Sequence, residues 1–289
     1  GNGLSEPSLF CPEYYEKTLE AYGVIADITD DVDAWLSGYQ NCHTRLTGDD
    51  IDLSNFNSYQ VGNDLASLML VLGYDTYNLY GISYGVREVQ VVMRDHPGKI
   101  RSAILDSGVL PGMPFPSEWA PNFAYAYELL FENCAASSVC GASYPDLEKT
   151  MVDAVDQLNA TPHYSPVTRD DGTVVDVYVT GDRFVTAIQQ AMYRADLIPL
   201  LPLVISSTAA GNMSFVDAFV PEVLSTGGFD WGLYASTLCA QEVPFSSLSE
   251  ALEKKKGLNP TLTDPVYEIL GRLFFDLCEF WQVTPRPSI

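Results

Sequence analysis

The chain has 289 residues, of which 38 are acidic and 15 basic, so its formal net charge is −23 at pH 7. This excess of negative charge repels phosphate backbones and anionic lipid headgroups, which argues against a nucleic-acid partner or a membrane-surface role. No run of about 18 apolar residues occurs, so no membrane span is predicted. The hydrophobic content of 47% is enough for a globular core. The chain starts at Gly1 without a methionine, and we expect it to be part of a longer polypeptide.

The six cysteines and three histidines limit the metal and redox chemistry of the chain. No C-x-x-C pair and no zinc-ligand spacing occurs, so we predict neither a metal site nor a cofactor. An even number of cysteines in a chain with few lysines favours an exported protein with disulfide bonds, either secreted or periplasmic. The alternative is a cytosolic protein with six buried free thiols. The cysteines are Cys11, Cys42, Cys134, Cys140, Cys239 and Cys278.

The first part of the chain is predicted to be a loop followed by helices. Glycine, serine and proline dominate 1–12, which indicates a loop. Apolar residues recur three or four apart over 13–45 and predict a long helical stretch. A further helix follows, capped by Asn57 or Ser58 and ended by Gly73.

The sequence Gly-Ile-Ser-Tyr-Gly at 81–85 is a G-x-S-x-G pentapeptide in an informative setting. The preceding run 77–82 is aromatic and aliphatic and predicts a buried strand, whereas 86–93 has apolar residues at helical spacing. Strand, sharp turn and helix form a nucleophile elbow, in which Ser83 would lie on a strained turn with its hydroxyl exposed. The backbone N–H of Tyr84 would then be one oxyanion donor. The alternative is an ordinary strand-to-helix turn with a capping serine.

A second strand is predicted at 102–106, after the helix that follows the pentapeptide. Two strands joined by one helix in about 30 residues form a right-handed βαβ unit, and hence a parallel sheet. Ser83 would lie at the carboxyl end of its strand, where proteins with such sheets carry out their chemistry. The predicted fold class is therefore α/β, with a partial parallel sheet.

The character of the sequence changes after Gly108, where a proline-rich linker leads into a mainly helical segment. A short strand is predicted within it at 174–179. Helical spacing of apolar residues occurs at 123–134, 144–158, 182–193, 202–210, 229–243 and 266–281. The predicted organisation is a partial core with the elbow at 1–110, a helical insertion at 111–282, and a return towards the core at 283–289.

Several of these segments share their residues with one known family. They are 3–9, 11–13, 79–85 with Arg87, 101–106 with Pro111, 134–140, 144–147 and 239–242. Together they resemble the secreted tripeptidyl-aminopeptidase-like α/β-hydrolases, which are relatives of the proline iminopeptidases. The resemblance covers nearly the whole chain. The G-x-S-x-G motif is common to all α/β-hydrolases, whereas the cysteine positions and the opening loop are typical of this branch.

The resemblance implies an α/β-hydrolase core with a large helical cap over the active site. It implies an exported serine hydrolase that releases residues or short peptides from free N-termini by an acyl-enzyme mechanism, and some relatives are esterases on small acyl esters. In related aminopeptidases, cap carboxylates hold the substrate's α-ammonium, and Glu242 is the candidate here; the alternative is an exposed helix charge. The implied disulfides are Cys11 to Cys42, Cys134 to Cys140, and Cys239 to Cys278.

Parts of the family pattern are not found in the 289 residues. The first strands, with the loop that supplies the second oxyanion donor, and the last strands, with the catalytic Asp and His, are expected on a longer polypeptide or on a second chain. His43, His96 and His163 are predicted to be surface residues, so no credible catalytic base is present. Asp106 ends the second strand, where some hydrolases carry their acid, and is kept as an alternative acid. Val86 stands where the family pattern has Thr.

A catalytically incomplete piece that binds a partner through its helical segment is the alternative from another functional class. Two parallel strands cannot bury both faces of a sheet, so such a piece would expose apolar strands and pair or aggregate. Within the enzyme class, activity on a peptide with a free amine, lost when the amine is blocked, would separate an aminopeptidase from an esterase.

Overall fold

The structure is a computed structural model that describes residues 5–108, 114–169, 172–218 and 229–286. Within these ranges the chain is mostly helical, with one small parallel sheet and two short antiparallel ribbons. The first range contains α1 (Pro12–Tyr22), α2 (Ile28–Gly48), α3 (Ser58–Val71), β1 (Tyr77–Ile82), α4 (Gly85–Asp95) and β2 (Ile100–Asp106).

The ranges after residue 113 are built mainly from helices. A π-helical turn, Glu268–Arg272, joins the last two helices, and 214–218 is also helical. The elements are α5 (Phe115–Ala136), α6 (Ser138–Ser143), α7 (Leu147–Ala160), β3 (His163–Tyr164), β4 (Val167–Thr168), β5 (Val174–Val175), β6 (Tyr178–Val179), α8 (Gly181–Ala191), α9 (Leu201–Ala209), α10 (Trp231–Gln241), α11 (Leu248–Lys255), α12 (Pro260–Tyr267) and α13 (Leu273–Phe280). The single strand predicted for 174–179 is thus two short strands, which pair with β4 and β3.

The helical stretch predicted for 13–45 is two helices rather than one. The first ends at Tyr22, and the Gly23 N–H closes it by donating to the Leu19 carbonyl. The second begins after Asp27, whose carboxylate accepts hydrogen bonds from the N–H groups of Thr29 and Asp30 at 2.8 and 3.0 Å. An N-terminal cap of this kind stabilises a helix start by about 1 kcal/mol. The apolar spacing continues across the break, so the periodicity alone did not reveal it.

The parallel sheet consists of β1 and β2, as predicted. Leu79 lies opposite Ala103, and Ile82 lies opposite Asp106. One face of the sheet packs on α4, where Leu79 joins a small cluster with Val89 and Val92. The other face is exposed, with Tyr80, Ile82 and Ile104 between 54% and 60% accessible, so the prediction that 77–82 is a buried strand is wrong for this face. Parallel sheets are normally covered on both faces, so the exposure of these apolar side chains is uncommon for a parallel pair.

Two larger hydrophobic clusters lie among the helices. One joins α5, α7, α8 and α9 through buried residues such as Tyr127, Met151 and Ile205. The other joins α1 and α2 to α10 and α13, with Trp35 and Trp281 at its centre. Helices on both sides of the predicted boundary at residue 110 therefore share one core, because α1 and α2 pack against the last helices of the chain. The elbow elements form their own small cluster.

A buried arginine connects the start of the chain to its middle. Arg183, on α8, forms a two-pronged ion pair with Asp31 of α2, with N–O distances of 2.8 and 2.5 Å. The same guanidinium donates to backbone carbonyls of Ala21, Val24 and Tyr178. Because both charged side chains are more than nine-tenths buried, this network fixes the relative placement of α1, α2 and α8.

All six cysteines are paired, in the combination that the family resemblance implies. The bonds join Cys11 to Cys42, Cys134 to Cys140 and Cys239 to Cys278. The alternative of six free thiols is therefore wrong. Disulfides of this number fit a protein that folds in an oxidising compartment. A search of the described residues for a helix long and apolar enough to cross a membrane finds none.

Candidate active site

The backbone at Ser83 has the strained conformation that a nucleophile elbow requires. Ser83 has φ of +54°, in the left-handed region that residues with a side chain seldom adopt. Ser83 directly follows β1, and one residue, Tyr84, separates it from α4. Its N–H donates to the carbonyl of Asp106 at 3.0 Å, which ties the turn to the end of β2. The predicted sequence of strand, sharp turn and helix is thus confirmed, and the turn lies at the carboxyl edge of the sheet.

The two glycines of the pentapeptide differ in the space around them for a side chain. A Cβ placed on Gly81 would lie 2.4 Å from the carbonyl oxygen of Gly85, so β1 and α4 approach as closely as they do only because residue 81 has no side chain. A Cβ on Gly85 would meet open space. Close packing recurs one strand away, where a Cβ on Gly108 would lie within 2.5 Å of the Val86 side chain.

Tyr84 occupies the position of the predicted oxyanion donor and is also held by its side chain. Its backbone is helical, with φ −57° and ψ −35°, so its N–H lies at the N-terminal end of α4, where N–H groups have no partner inside the helix. Its hydroxyl is 2.9 Å from the hydroxyl of Ser58, which donates to the side-chain carbonyl of Gln241 at 2.6 Å. Burial raises the pKa of the Tyr84 phenol, so this hydroxyl stays protonated.

Glu242 is buried beside the elbow helix and forms an ion pair with Arg87. The two side chains are 11% and 3% exposed, so the alternative of an exposed helix charge is wrong. Burial raises the pKa of Glu242 to about 7, against the opposing effect of the Arg87 charge. Arg87 lies in the first turn of α4, one helical turn beyond Ser83. The carboxylate that the resemblance singled out is therefore near the elbow, but one of its oxygens is already engaged.

Asp106 lies at the same edge of the sheet as Ser83, with its carboxylate held by neighbouring hydroxyls. Ser107 and Tyr80 donate to it at 2.8 and 2.9 Å, and these hydrogen bonds hold the pKa of Asp106 below its usual value. Ser107 also has a left-handed backbone, with φ of +53°. No histidine hydrogen-bonds to Asp106 in the described ranges, so its role as an acid stays a prediction.

The three histidines have partners other than Ser83. The His43 ring packs against Phe280 and Trp281, and burial lowers its pKa. His96 ends α4 and lies 2.8 Å from the side-chain oxygen of Asn63, and His163 is 2.7 Å from an Asp217 oxygen. Within residues 5–108, 114–169, 172–218 and 229–286, no histidine hydrogen-bonds to Ser83. Likewise, no group of three or more metal-binding side chains is found in those ranges.

Sequence reasoning located Ser83, Tyr84 and Glu242 but missed the contacts that bring them together. Arg87 and the stretch 239–242 are separate motifs in the sequence, and nothing in their spacing indicates that Arg87 pairs with Glu242. The same holds for Ser58 and its bond to Gln241. Both contacts join residues more than a hundred positions apart, so only the tertiary structure reveals that the end of α10 packs on the start of α4.

Comparison of the chain with models of known protein families and with curated protein sequences yields no match.

Proposed function

We propose that this chain is the central part of an exported serine hydrolase of the α/β-hydrolase type, with Ser83 as its nucleophile. The observation that carries the proposal is the left-handed backbone of Ser83 between a parallel strand and the helix that follows it. A serine that merely caps a helix has no need of such strain, whereas an elbow uses it to present the hydroxyl at the sheet edge.

The chemistry assigned to Ser83 is attack on a substrate carbonyl to form an acyl-enzyme, which water then hydrolyses. The Tyr84 N–H stabilises the oxyanion, helped by the positive end of α4. The Tyr84 side chain, locked by Ser58 and Gln241, keeps that peptide unit in place. The proton acceptor and its acid partner come from core strands outside the 289 residues, on the same polypeptide or on a second chain.

The described sheet has only two strands, so each has an unpaired edge where such additional strands can pair, and its exposed face supports further covering elements. Tyr80, Ile82 and Ile104 present apolar surface where a complete α/β-hydrolase sheet would have covering elements. In the same proposal, the helical segment from α5 to α13 is the cap. The three disulfides support export, because such bonds persist in oxidising compartments.

An aminopeptidase is the preferred activity, because a buried carboxylate lies next to the elbow. Glu242 can direct its free oxygen towards a substrate ammonium while Arg87 holds the other. An esterase on small acyl esters is the alternative within the same mechanism. A catalytically incomplete binding piece is the alternative outside it, and the lack of a histidine at Ser83 in the described ranges favours that alternative.

The test is hydrolysis by the full polypeptide that contains this chain. A tripeptide p-nitroanilide with a free amine should be cleaved, its N-acetylated form should be cleaved at least tenfold more slowly, and Ser83→Ala should abolish both reactions. Ser67→Ala, at an exposed serine on α3, is the matched control and should keep full activity. Equal cleavage of acetylated peptides or of simple esters would favour the esterase, and no cleavage of any substrate would favour the binding piece.

A further inference from the structure

A cleft of about 270 Å³ opens next to the elbow, between the end of β2 and the helix α5. Ser107 and Gly108 form its base on the β2 side. Because Ser107 follows Asp106, whose carbonyl accepts the Ser83 N–H, peptide geometry places the Ser107 Cα within about 6 Å of the Ser83 nitrogen. Gly108 packs on Val86 of the elbow helix. The cleft therefore begins within about 6 Å of the Ser83 backbone nitrogen.

The walls of the cleft are aromatic and mutually supported. Phe115, Trp119, Phe123 and Tyr193 line it. The rings of Trp119 and Phe123 are stacked at 5.2 Å, and Phe115 meets Trp119 edge-on at 4.7 Å. Rings that pack against one another have few alternative rotamers, so the wall formed by Phe115, Trp119 and Phe123 is in place before a ligand binds. Clefts with this kind of lining are the usual sites for apolar ligands.

The size and charge of the cleft restrict what it can hold. An engineered apolar cavity of about 150 Å³ accommodates benzene in another protein, so this cleft has room for one side chain of up to two rings. Its polar side chains are Ser107, Glu118 and Asn122, together with the hydroxyl of Tyr193. Glu118 pairs with Lys254 at 2.5 Å, but Lys254 also pairs with Glu250 at 2.7 Å. One cation thus faces two carboxylates, and the excess negative charge disfavours an anionic ligand.

We infer that this cleft is a specificity pocket that binds an uncharged aromatic side chain of the substrate next to the bond that Ser83 attacks. The identity of the bound group as part of a substrate rests on the proposed function. The preference of the cleft for an aromatic group is independent of that function, because this preference depends only on the walls, the volume and the charge of the cleft. Ligand binding and catalysis can therefore be tested separately.

The test is an NMR titration of the intact protein with small neutral amides. N-acetyl-phenylalaninamide should bind at least about tenfold more tightly than N-acetyl-alaninamide, because burial of one ring is worth that factor or more. 3-Phenylpropionate, which has the ring but a negative charge, should bind more weakly than the neutral aromatic amide. Asn122→Trp places a ring in the cleft and should weaken binding of the aromatic amide about tenfold, whereas Glu128→Trp, at an exposed position of the same helix, should leave it unchanged.

Tyr193→Ala provides a second variant, since Tyr193 is 65% exposed and its loss removes one wall without opening the core. It should also weaken binding of the aromatic amide. Equal affinity of the wild-type protein for the two amides would overturn the inference, as would binding that neither Asn122→Trp nor Tyr193→Ala changes. The titration needs no turnover, so selective binding in a full polypeptide that hydrolyses nothing would support the aromatic pocket and refute the hydrolase.

Discussion

Among the single residues around the elbow, two charged side chains are buried, and their removal from water is unfavourable in free energy. Glu242 and Arg87 are removed from water together, with side chains that are 11% and 3% exposed. Buried ion pairs of this kind contribute little net stability, but loss of one partner is costly because the other charge is left unpaired. Their retention beside Ser83 is consistent with a role in ligand binding, as proposed for Glu242.

The raised pKa of Glu242 predicts a specific dependence of stability on pH. Its pKa is about 7 in the folded state, against an ordinary value of 4.5, so the folded protein binds the proton more tightly than the unfolded chain does. The stabilisation is fully present below pH 4.5 and is lost as the pH rises to about 7, by on the order of 3 kcal/mol. In urea unfolding at several pH values, the wild type should lose more stability between pH 4.5 and about 7 than Glu242→Gln does, by on the order of 3 kcal/mol. Parallel curves for the two proteins would contradict it.

Arg183 should be among the residues most sensitive to substitution. Arg183→Met removes the partner of the buried Asp31 and six hydrogen bonds to Asp31 and backbone carbonyls, so we expect a loss of about 3–5 kcal/mol in the free energy of unfolding. Lys149→Met is the matched control: its pair with Asp153 is more than half exposed, and its loss should cost less than about 1 kcal/mol. Chemical denaturation of both variants gives the comparison, and similar losses would contradict the assigned role of Arg183.

At the scale of elements, the approach of β1 to α4 depends on one glycine of the pentapeptide. Gly81→Ala places a methyl group 2.4 Å from the Gly85 carbonyl oxygen and should destabilise the protein by about 1–3 kcal/mol, because backbone atoms must move. Gly85→Ala meets open space and should be close to neutral in stability. Thermal or urea unfolding distinguishes the two variants, and equal effects would mean that the close packing at residue 81 is not what holds the elbow.

The disulfides should differ in their contribution according to the loops that they close. Cys11 and Cys42 are separated by 31 residues, and Cys134 and Cys140 by 6. Chain entropy alone predicts that removal of the first bond costs about 1.5 kcal/mol more than removal of the second. The paired alanine variants, compared by urea unfolding under non-reducing conditions, test this order. A greater loss for the short loop would contradict the entropic account.

Local patterns predicted the elements around the elbow well and the long-range packing poorly. Three local features predicted the strand, the turn and the helix around Ser83, and the fold contains all three. These features are the run 77–82, the glycines of the pentapeptide and the apolar spacing after Ser83. The break before α2 was missed because Asp27 acts as a cap only when the preceding residues leave the helix. The contact between Arg87 and Glu242, and the packing of α1 and α2 on the last helices, depend on tertiary structure that no local spacing encodes.

At the scale of the whole molecule, the small sheet remains open to solvent. Both strands have an unpaired edge among the described residues, and Ile104 on the outer face is 60% exposed. We expect the 289-residue chain on its own to self-associate through this face. Ile104→Lys should lower the association measured by sedimentation velocity, whereas Val139→Lys, at a residue of α6 that is 76% exposed, should not. Association that Ile104→Lys leaves unchanged would place the interface elsewhere.

Reaction of the full polypeptide with a fluorophosphonate probe, followed by mass mapping, tests whether Ser83 is the nucleophile of a serine hydrolase. We predict a single adduct on Ser83, absent in Ser83→Ala and retained in Ser67→Ala. The 289-residue chain alone should react at least about 100-fold more slowly, because the general base is proposed to lie outside it. An unlabelled Ser83 in the full polypeptide would contradict the account and leave the elbow as a structural turn.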